Sequence, residues 1–142
     1  MSRDASNYNL SGSLAPELGN IDSLQYLELR NNQFTGTIPQ ELGKFGNLKS
    51  LDLSGNFIDG AIPPSLGNLS NLIFMYLNDN ELQGSIPNQL ALIPTLAVFN
   101  ASTNDLCGQV PPFNSDKTSL FAQSKDQRAL LRKLDKEEYV WQ

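Results

Sequence analysis

Residues 48–71 read LKSLDLSGNFIDGAIPPSLGNLSN, and the pattern of this segment returns on both sides at a step of 24 residues. Glycine marks the step, at Gly12, Gly36, Gly60, Gly84 and Gly108. Asparagine stands four residues before the later glycines, at Asn32, Asn56, Asn80 and Asn104. An internal period of this length is the signature of a repeat architecture.

Each repeat can be written L-x-x-L-x-L-x-x-N-x-L-x-G-x-I-P-x-x-L-G-x-L-x-x. The L-x-L segment has the period of a strand with both leucines on one side. One repeat cannot bury its leucines alone, whereas stacked repeats bury them against each other. The sequence therefore predicts an α/β-type solenoid of four to five turns with a parallel sheet on its concave face.

The repeated asparagine follows each predicted strand, where the chain turns inward. We expect its side-chain amide to satisfy buried backbone groups of adjacent turns. Loss of one such asparagine is expected to cost about 1 to 3 kcal/mol.

Composition excludes several function classes. The 142 residues carry a formal net charge of -5, which disfavours binding to nucleic acid. The chain has no His and one Cys, so it lacks the commonest general base, a His zinc ligand and an internal disulfide. We expect no catalysis, no metal and no cofactor. The longest largely apolar stretch, about ten residues at 90–99, is too short to span a bilayer.

The 24-residue step with G-x-I-P at 36–39, 60–63 and 84–87 resembles the plant-type leucine-rich repeat. The runs NLSGSLAPELG at 9–19, LQYLEL at 24–29 and LKSLDL at 48–53 are similar to the ectodomains of somatic embryogenesis receptor kinases and related small secreted proteins. The resemblance covers residues 6–112. It implies a protein-protein interaction module that acts as a co-receptor beside a receptor kinase ectodomain at the cell surface.

Family members begin with a signal peptide and a cysteine-paired cap, and neither is recognisable in this chain. The first turn is degenerate, because Arg3 and Ala5 occupy leucine columns. Two alternatives remain open. One is a defence inhibitor resembling polygalacturonase-inhibiting proteins, although these usually have about twice as many turns. The other is a truncated gene product without an independent role.

Residues between the core leucines are predicted to face outward on the concave side, where this architecture binds its partners. From these positions we predict a protein-binding site formed by Tyr26, Glu28, Arg30, Asp52, Phe74, Tyr76 and Asn78, in which the aromatic side chains are typical of interface cores. Ser50, Ser54, Val98, Asn100 and Ser102 occupy equivalent positions. Glu28 and Asp52 are interpreted as surface carboxylates with their repulsion tempered by Arg30. The sheet offers only about 250 Å², so lateral loops must contribute to a standard interface of about 800 Å² per partner.

Two further features suggest modification chemistry. Possible N-glycosylation sequons begin at Asn9, Asn68 and Asn100. A glycan at Asn100 would obstruct partner binding at the fourth strand of the concave face. Cys107 is interpreted as an exposed free thiol, since no basic residue flanks it to lower its pKa.

Charge divides the chain near Asp116. Residues 1–115 hold four basic and ten acidic side chains, whereas residues 116–142 hold six and five. We therefore predict a solenoid over 1–115 and a charged, partly helical tail over 116–142. Its helix is predicted from Ser124 to Gln142, and it binds a partner, covers the solenoid end or stays partly frayed.

Overall fold

The computed structural model describes residues 1–122 and the backbone of residues 140–141. Its main feature is a six-stranded parallel sheet, ordered β1-β3-β5-β7-β9-β12. The strands are β1 (Ser2–Asp4), β3 (Tyr26–Glu28), β5 (Ser50–Asp52), β7 (Phe74–Tyr76), β9 (Val98–Asn100) and β12 (Ser119–Phe121). Leu27, Leu51, Met75 and Phe99 are Cα partners along the sheet, so the predicted leucine columns are confirmed.

A second set of strands runs along the side of the solenoid, where each repeat passes its glycine. One parallel sheet has the order β10-β8-β6 and another pairs β2 with β4. The strands are β2 (Ser11–Ser13), β4 (Gln33–Thr35), β6 (Asp59–Ala61), β8 (Glu81–Gly84), β10 (Asp105–Leu106) and β11 (Gly108–Gln109). We call this second surface the lateral face.

Within residues 1–122, four 3₁₀ helices form the opposite side, at Pro16–Asn20, Gln40–Lys44, Pro64–Asn68 and Asn88–Leu92. They stack so closely that a Cβ at Gly43 would overlap the carbonyl oxygen of Ser65, and one at Gly67 would lie 2.8 Å from that of Gln89. The equivalent residue of the last 3₁₀ helix is Ala91, which has no further 3₁₀ helix of the described chain stacked on it. The stacking distance thus requires the glycine of the repeated Leu-Gly pair.

The core lies between the concave sheet and the 3₁₀ helices. Its leucines and isoleucines are almost wholly buried, including Leu51, Leu66 and Leu72 at 0% exposure. The asparagine prediction is also confirmed. Asn56, for example, donates from Nδ2 to the carbonyl of Leu29 in the preceding turn and to that of Leu53 in its own, both at 3.0 Å.

The first turn keeps the strand register despite its departures from the pattern. Arg3 pairs with Leu27 as its Cα partner in β1 and β3, as the column assignment predicts. Arg3 is exposed, since a charged side chain gains nothing from the apolar core. The end of the core is therefore less fully covered here than in later turns.

At the other end, the sheet continues beyond the predicted solenoid boundary at residue 115. Strand β12 pairs with β9, and the buried Thr118 hydroxyl donates to the carbonyl of Leu96 at 2.7 Å. Phe113 stacks on the core residue Phe99 with ring centroids 5.1 Å apart. Residues 113–121 thus extend the last turn and pack against its core.

Most of the helix predicted over Ser124 to Gln142 lies outside the described residues. Val140–Trp141, which lie within the predicted helix, instead form strand β13, antiparallel to β11. No helix within residues 1–122 is long and apolar enough to cross a membrane.

Candidate protein-binding face

The concave sheet presents two rows of side chains that cross its strands. Cα pairing gives a first row of Ser2, Tyr26, Ser50, Phe74, Val98 and Ser119. The same pairing gives a second row of Asp4, Glu28, Asp52, Tyr76, Asn100 and Phe121. Because side chains alternate along a strand, both rows lie on the side opposite the leucine columns.

The three predicted aromatic residues share this face. Tyr26 is 38% exposed and Phe74 is 37% exposed, while Tyr76 is half-buried. Phe74 and Tyr76 stack with centroids 6.3 Å apart and planes 9° apart. Together they leave apolar ring surface open to solvent beside polar groups.

The exposure predicted for Asp52 is wrong, although its position in the sheet is right. Asp52 is 6% exposed and Ser50 is 5% exposed. The reason is the size of the neighbours across the strands: short side chains on β5 lie between longer ones on β3 and β7. Asp52 also folds back towards Ser54, which donates to Oδ1 from its backbone amide at 3.0 Å and from its hydroxyl at 2.6 Å.

The same turn recurs in the last repeat. Asn100 occupies the position of Asp52, and its Oδ1 accepts the amide of Ser102 at 3.1 Å and the hydroxyl at 2.7 Å. In the first repeat the amide of Ser6 donates to Oδ1 of Asp4 at 3.0 Å. A D-x-S or N-x-S triplet therefore stabilises the turn that follows every second strand of the sheet, namely β1, β5 and β9.

The predicted effect of Arg30 on the repulsion between Glu28 and Asp52 stays a prediction. Within residues 1–122 Arg30 forms no ion pair with Glu28 or Asp52 and is exposed. The backbone amide of Ser6 holds the pKa of Asp4 below its ordinary value of 3.8, and the charge of Arg30 adds to this effect. The charge of Arg30 thus favours the ionised form of Asp4, the first carboxylate of the second row.

The remaining predicted residues lie where the repeat places them. Glu28 is half-buried beside Asp52. Asn78 is half-buried and donates from Nδ2 to Oδ2 of Asp79 at 2.7 Å. No group of three acidic, Cys or His side chains in the described chain is arranged to hold a metal ion.

The sequons differ in accessibility. Asn9 and Asn68 are exposed, whereas Asn100 is half-buried on the concave face. The prediction for Cys107 is confirmed, since it is an exposed free thiol among the described residues.

Sequence reasoning missed the concave residues of the two outer strands, which are Ser2, Asp4, Ser119 and Phe121. The large side chain among them is Phe121, which is 54% exposed at the end of the second row. It is paired with Asn100 at a step of 21 residues, which breaks the repeat of 24. The alternation Ser-Leu-Phe, with Leu120 packed against the core, is the signal that could have identified it.

Comparisons with known proteins agree with this geometry. A family model described as leucine-rich repeats (two copies) matches residues 22–68. The crystal structure of the BIR2 ectodomain from Arabidopsis thaliana is 34% identical with a TM-score of 0.72, covering 87% of this chain and 68% of that one. This chain belongs to the plant-type leucine-rich repeat family. The resemblance found in the sequence and the predicted solenoid are both confirmed.

Other members of this leucine-rich repeat family are similar over comparable lengths of the chain. The structure of the BIR3–SERK2 complex from Arabidopsis thaliana matches at 33% identity and TM-score 0.74, covering 82% of this chain and 65% of that one. PEPR1, solved with AtPEP1, matches at 38% identity and TM-score 0.82 over 87% of this chain. The chain spans only 18% of that PEPR1 chain. A comparison with curated proteins gives no match.

Proposed function

We propose that this chain is a protein-binding module of the plant cell surface that contacts a receptor kinase ectodomain through its concave face. The observation that carries the proposal is the cluster of Tyr26, Phe74 and Tyr76 on one open sheet face. Aromatic side chains supply much of the contact energy at protein interfaces because they bury a large area with little loss of side-chain entropy.

The similar structures support a protein partner. BIR3 was solved in complex with SERK2, and PEPR1 was solved with AtPEP1. These are partners of those proteins, and they favour a polypeptide as the partner of this chain. The concave sheet of this chain is a surface on which a polypeptide could bind.

The size of the face limits how it binds. Six strands span about 24 Å at a spacing of about 4.8 Å, which gives a flat area of a few hundred Å². A standard interface needs about 800 Å² from each partner. The partner must therefore also contact a neighbouring surface, and the lateral face offers the exposed Phe57 close to the turn that follows β5.

Localisation at the cell surface leads to a second expectation. Asn9 and Asn68 are exposed and would be the accessible glycan acceptors in a secreted form. The intact mass of material secreted from plant cells, before and after glycan removal, tests this. An unchanged mass would contradict glycosylation.

The binding proposal is tested with a triple variant, Tyr26→Ala, Phe74→Ala and Tyr76→Ala, against a panel of receptor kinase ectodomains. The matched control is Tyr8→Ala with Leu92→Ala, because these apolar residues are 70% and 78% exposed and lie outside the concave face. We expect the triple variant to lose at least about tenfold in affinity. The control is expected to keep the affinity of the unmodified chain.

Equal binding by the triple variant and the unmodified chain would contradict the concave site. Inhibition of a pectin hydrolase, with no binding to any receptor ectodomain, would favour the inhibitor alternative instead.

A further inference from the structure

On the concave face the short side chains of β5 form a low strip between longer side chains on β3 and β7. Ser50 lies in this strip, between Tyr26 on β3 and Phe74 on β7. Adjacent strands are about 4.8 Å apart, so the Cα atoms of the two aromatic residues are separated by about 9.6 Å. We call the group Tyr26, Glu28, Ser50, Asp52, Phe74 and Tyr76 the β5 groove.

The base of the groove carries a carboxylate with an unused oxygen. Asp52 is only 6% exposed. Its Oδ1 accepts both hydrogen bonds that Ser54 donates. No side chain or amide within residues 1–122 donates to Oδ2, and no Lys or Arg there forms an ion pair with it. Among the described residues Oδ2 is not one of the fully enclosed atoms without a hydrogen-bond partner, so it keeps contact with solvent and can accept a hydrogen bond from a ligand.

A second carboxylate adds to the negative charge. Glu28 is the Cα partner of Asp52 on the neighbouring strand. Like charges directly opposite each other on a sheet repel. The free protein therefore holds two carboxylates in an unfavourable arrangement that a cation would relieve.

We propose that the β5 groove binds an arginine side chain from an extended segment of the protein partner. The guanidinium is planar and stacks on aromatic faces such as those of Tyr26 and Phe74. Its fork of donors reaches Oδ2 of Asp52 and the carboxylate of Glu28 together. A lysine ammonium has no planar face to stack, and an acidic side chain is repelled.

This inference rests on the proposed function, because it names the chemistry by which the same face recognises its partner. Its key variant is D52N, and the chain itself contains the structural precedent. Asn100 at the equivalent position keeps both hydrogen bonds from Ser102, so D52N is expected to keep those from Ser54 and to fold normally. The matched control is D59N, which removes an exposed carboxylate from β6 on the lateral face.

The experiment uses the full chain made in bacteria, so that the Asn-Leu-Ser triplet of D52N is not glycosylated. A blocked Gly-Gly-Arg-Gly-Gly peptide is titrated while amide chemical shifts are followed by NMR. The comparison peptide carries citrulline, a neutral isostere, in place of arginine. We expect saturable shifts at Tyr26, Ser50 and Phe74 with the arginine peptide. Binding should be at least about tenfold weaker with citrulline or in D52N, and unchanged in D59N.

Equal binding of the two peptides, or equal effects of D52N and D59N in a folded chain, would overturn the inference. Shifts confined to the lateral face would overturn it as well, since they would indicate only general attraction of a cation to an acidic surface.

The two proposals fail separately. If D52N binds the receptor ectodomain normally and the aromatic triple variant does not, the arginine inference is wrong and the concave interface stands. If the arginine peptide binds but the triple variant retains the ectodomain, the groove exists and the proposed function is wrong.

Discussion

Asn80 and Leu53 are 27 residues apart in the chain, and the Nδ2 group of Asn80 donates to the carbonyl oxygen of Leu53 at 2.9 Å. Nδ2 also donates to the carbonyl of Leu77 in its own turn, and Oδ1 accepts the amide of Ile58 at 3.0 Å. The Nδ2 and Oδ1 atoms of Asn80 thus both form hydrogen bonds with the preceding repeat. Asn32, Asn56 and Asn104 do the same, so neighbouring turns are held by a continuous column of amides.

Replacement of Asn80 by Ala should lower the free energy of unfolding by about 1 to 3 kcal/mol, because it leaves buried backbone groups without partners. Asn80 is 2% exposed, so water cannot easily replace the lost bonds. Urea denaturation measures the effect. Asn68→Ala is the control, since Asn68 is exposed and its replacement should change stability by less than about 0.5 kcal/mol. Similar losses in both variants would argue against the asparagine column.

Two glycines three residues apart should respond oppositely to the same substitution. Gly43→Ala should destabilise the chain by about 1 to 3 kcal/mol, since the added Cβ would overlap the Ser65 carbonyl of the next 3₁₀ helix. Gly46→Ala meets nothing within 4 Å and should be neutral or stabilising by up to about 1 kcal/mol. Thermal unfolding of the pair measures the difference. A well-tolerated Gly43→Ala would mean that the helices can separate.

Thr103 is strained, because this β-branched residue adopts φ 56. Equivalent positions in other turns are occupied by Asn31, Gly55 and Asp79, which tolerate that region better. Thr103→Gly should therefore raise the unfolding free energy by up to about 1 kcal/mol. Thr37→Gly, at a position without positive φ, should lower it by about 0.5 to 1 kcal/mol. Destabilisation by both changes would contradict the strain.

The lowered pKa of Asp4 gives the stability a defined dependence on pH. A carboxyl whose pKa is depressed on folding stabilises the native state above its unfolded pKa, and this contribution is lost as pH falls through the folded pKa. D4N keeps an acceptor for the Ser6 amide but cannot ionise. The advantage of the unmodified chain over D4N should therefore be present above about pH 4 and disappear below it. An NMR titration that places the pKa of Asp4 at or above 3.8 would contradict this result.

Most of the fold could be predicted because residues with the same structural role recur at the same position of every repeat. The leucine columns became the core strands and the asparagine column became the hydrogen bonds between turns. Strand β12 was missed because its pairing with β9 breaks the period, and no column predicts a strand outside the repeat.

The site was harder to predict because exposure depends on neighbours that are 24 residues away in sequence. The column assignment put Asp52 on the correct face, but its burial comes from the size of Glu28 and Tyr76 across the strands and from the turn to Ser54. The strain at Thr103 likewise depends on a backbone angle that a threonine does not predict.

Hydroxyl-radical footprinting with the bound receptor ectodomain locates the binding face, because the aromatic side chains of the unmodified chain are both probes and controls. We predict that Tyr26, Phe74 and Tyr76 become protected on binding. Tyr8, which is 70% exposed in the first turn, should react at an unchanged rate. Protection of Tyr8 with continued reaction of the three concave residues would contradict the account.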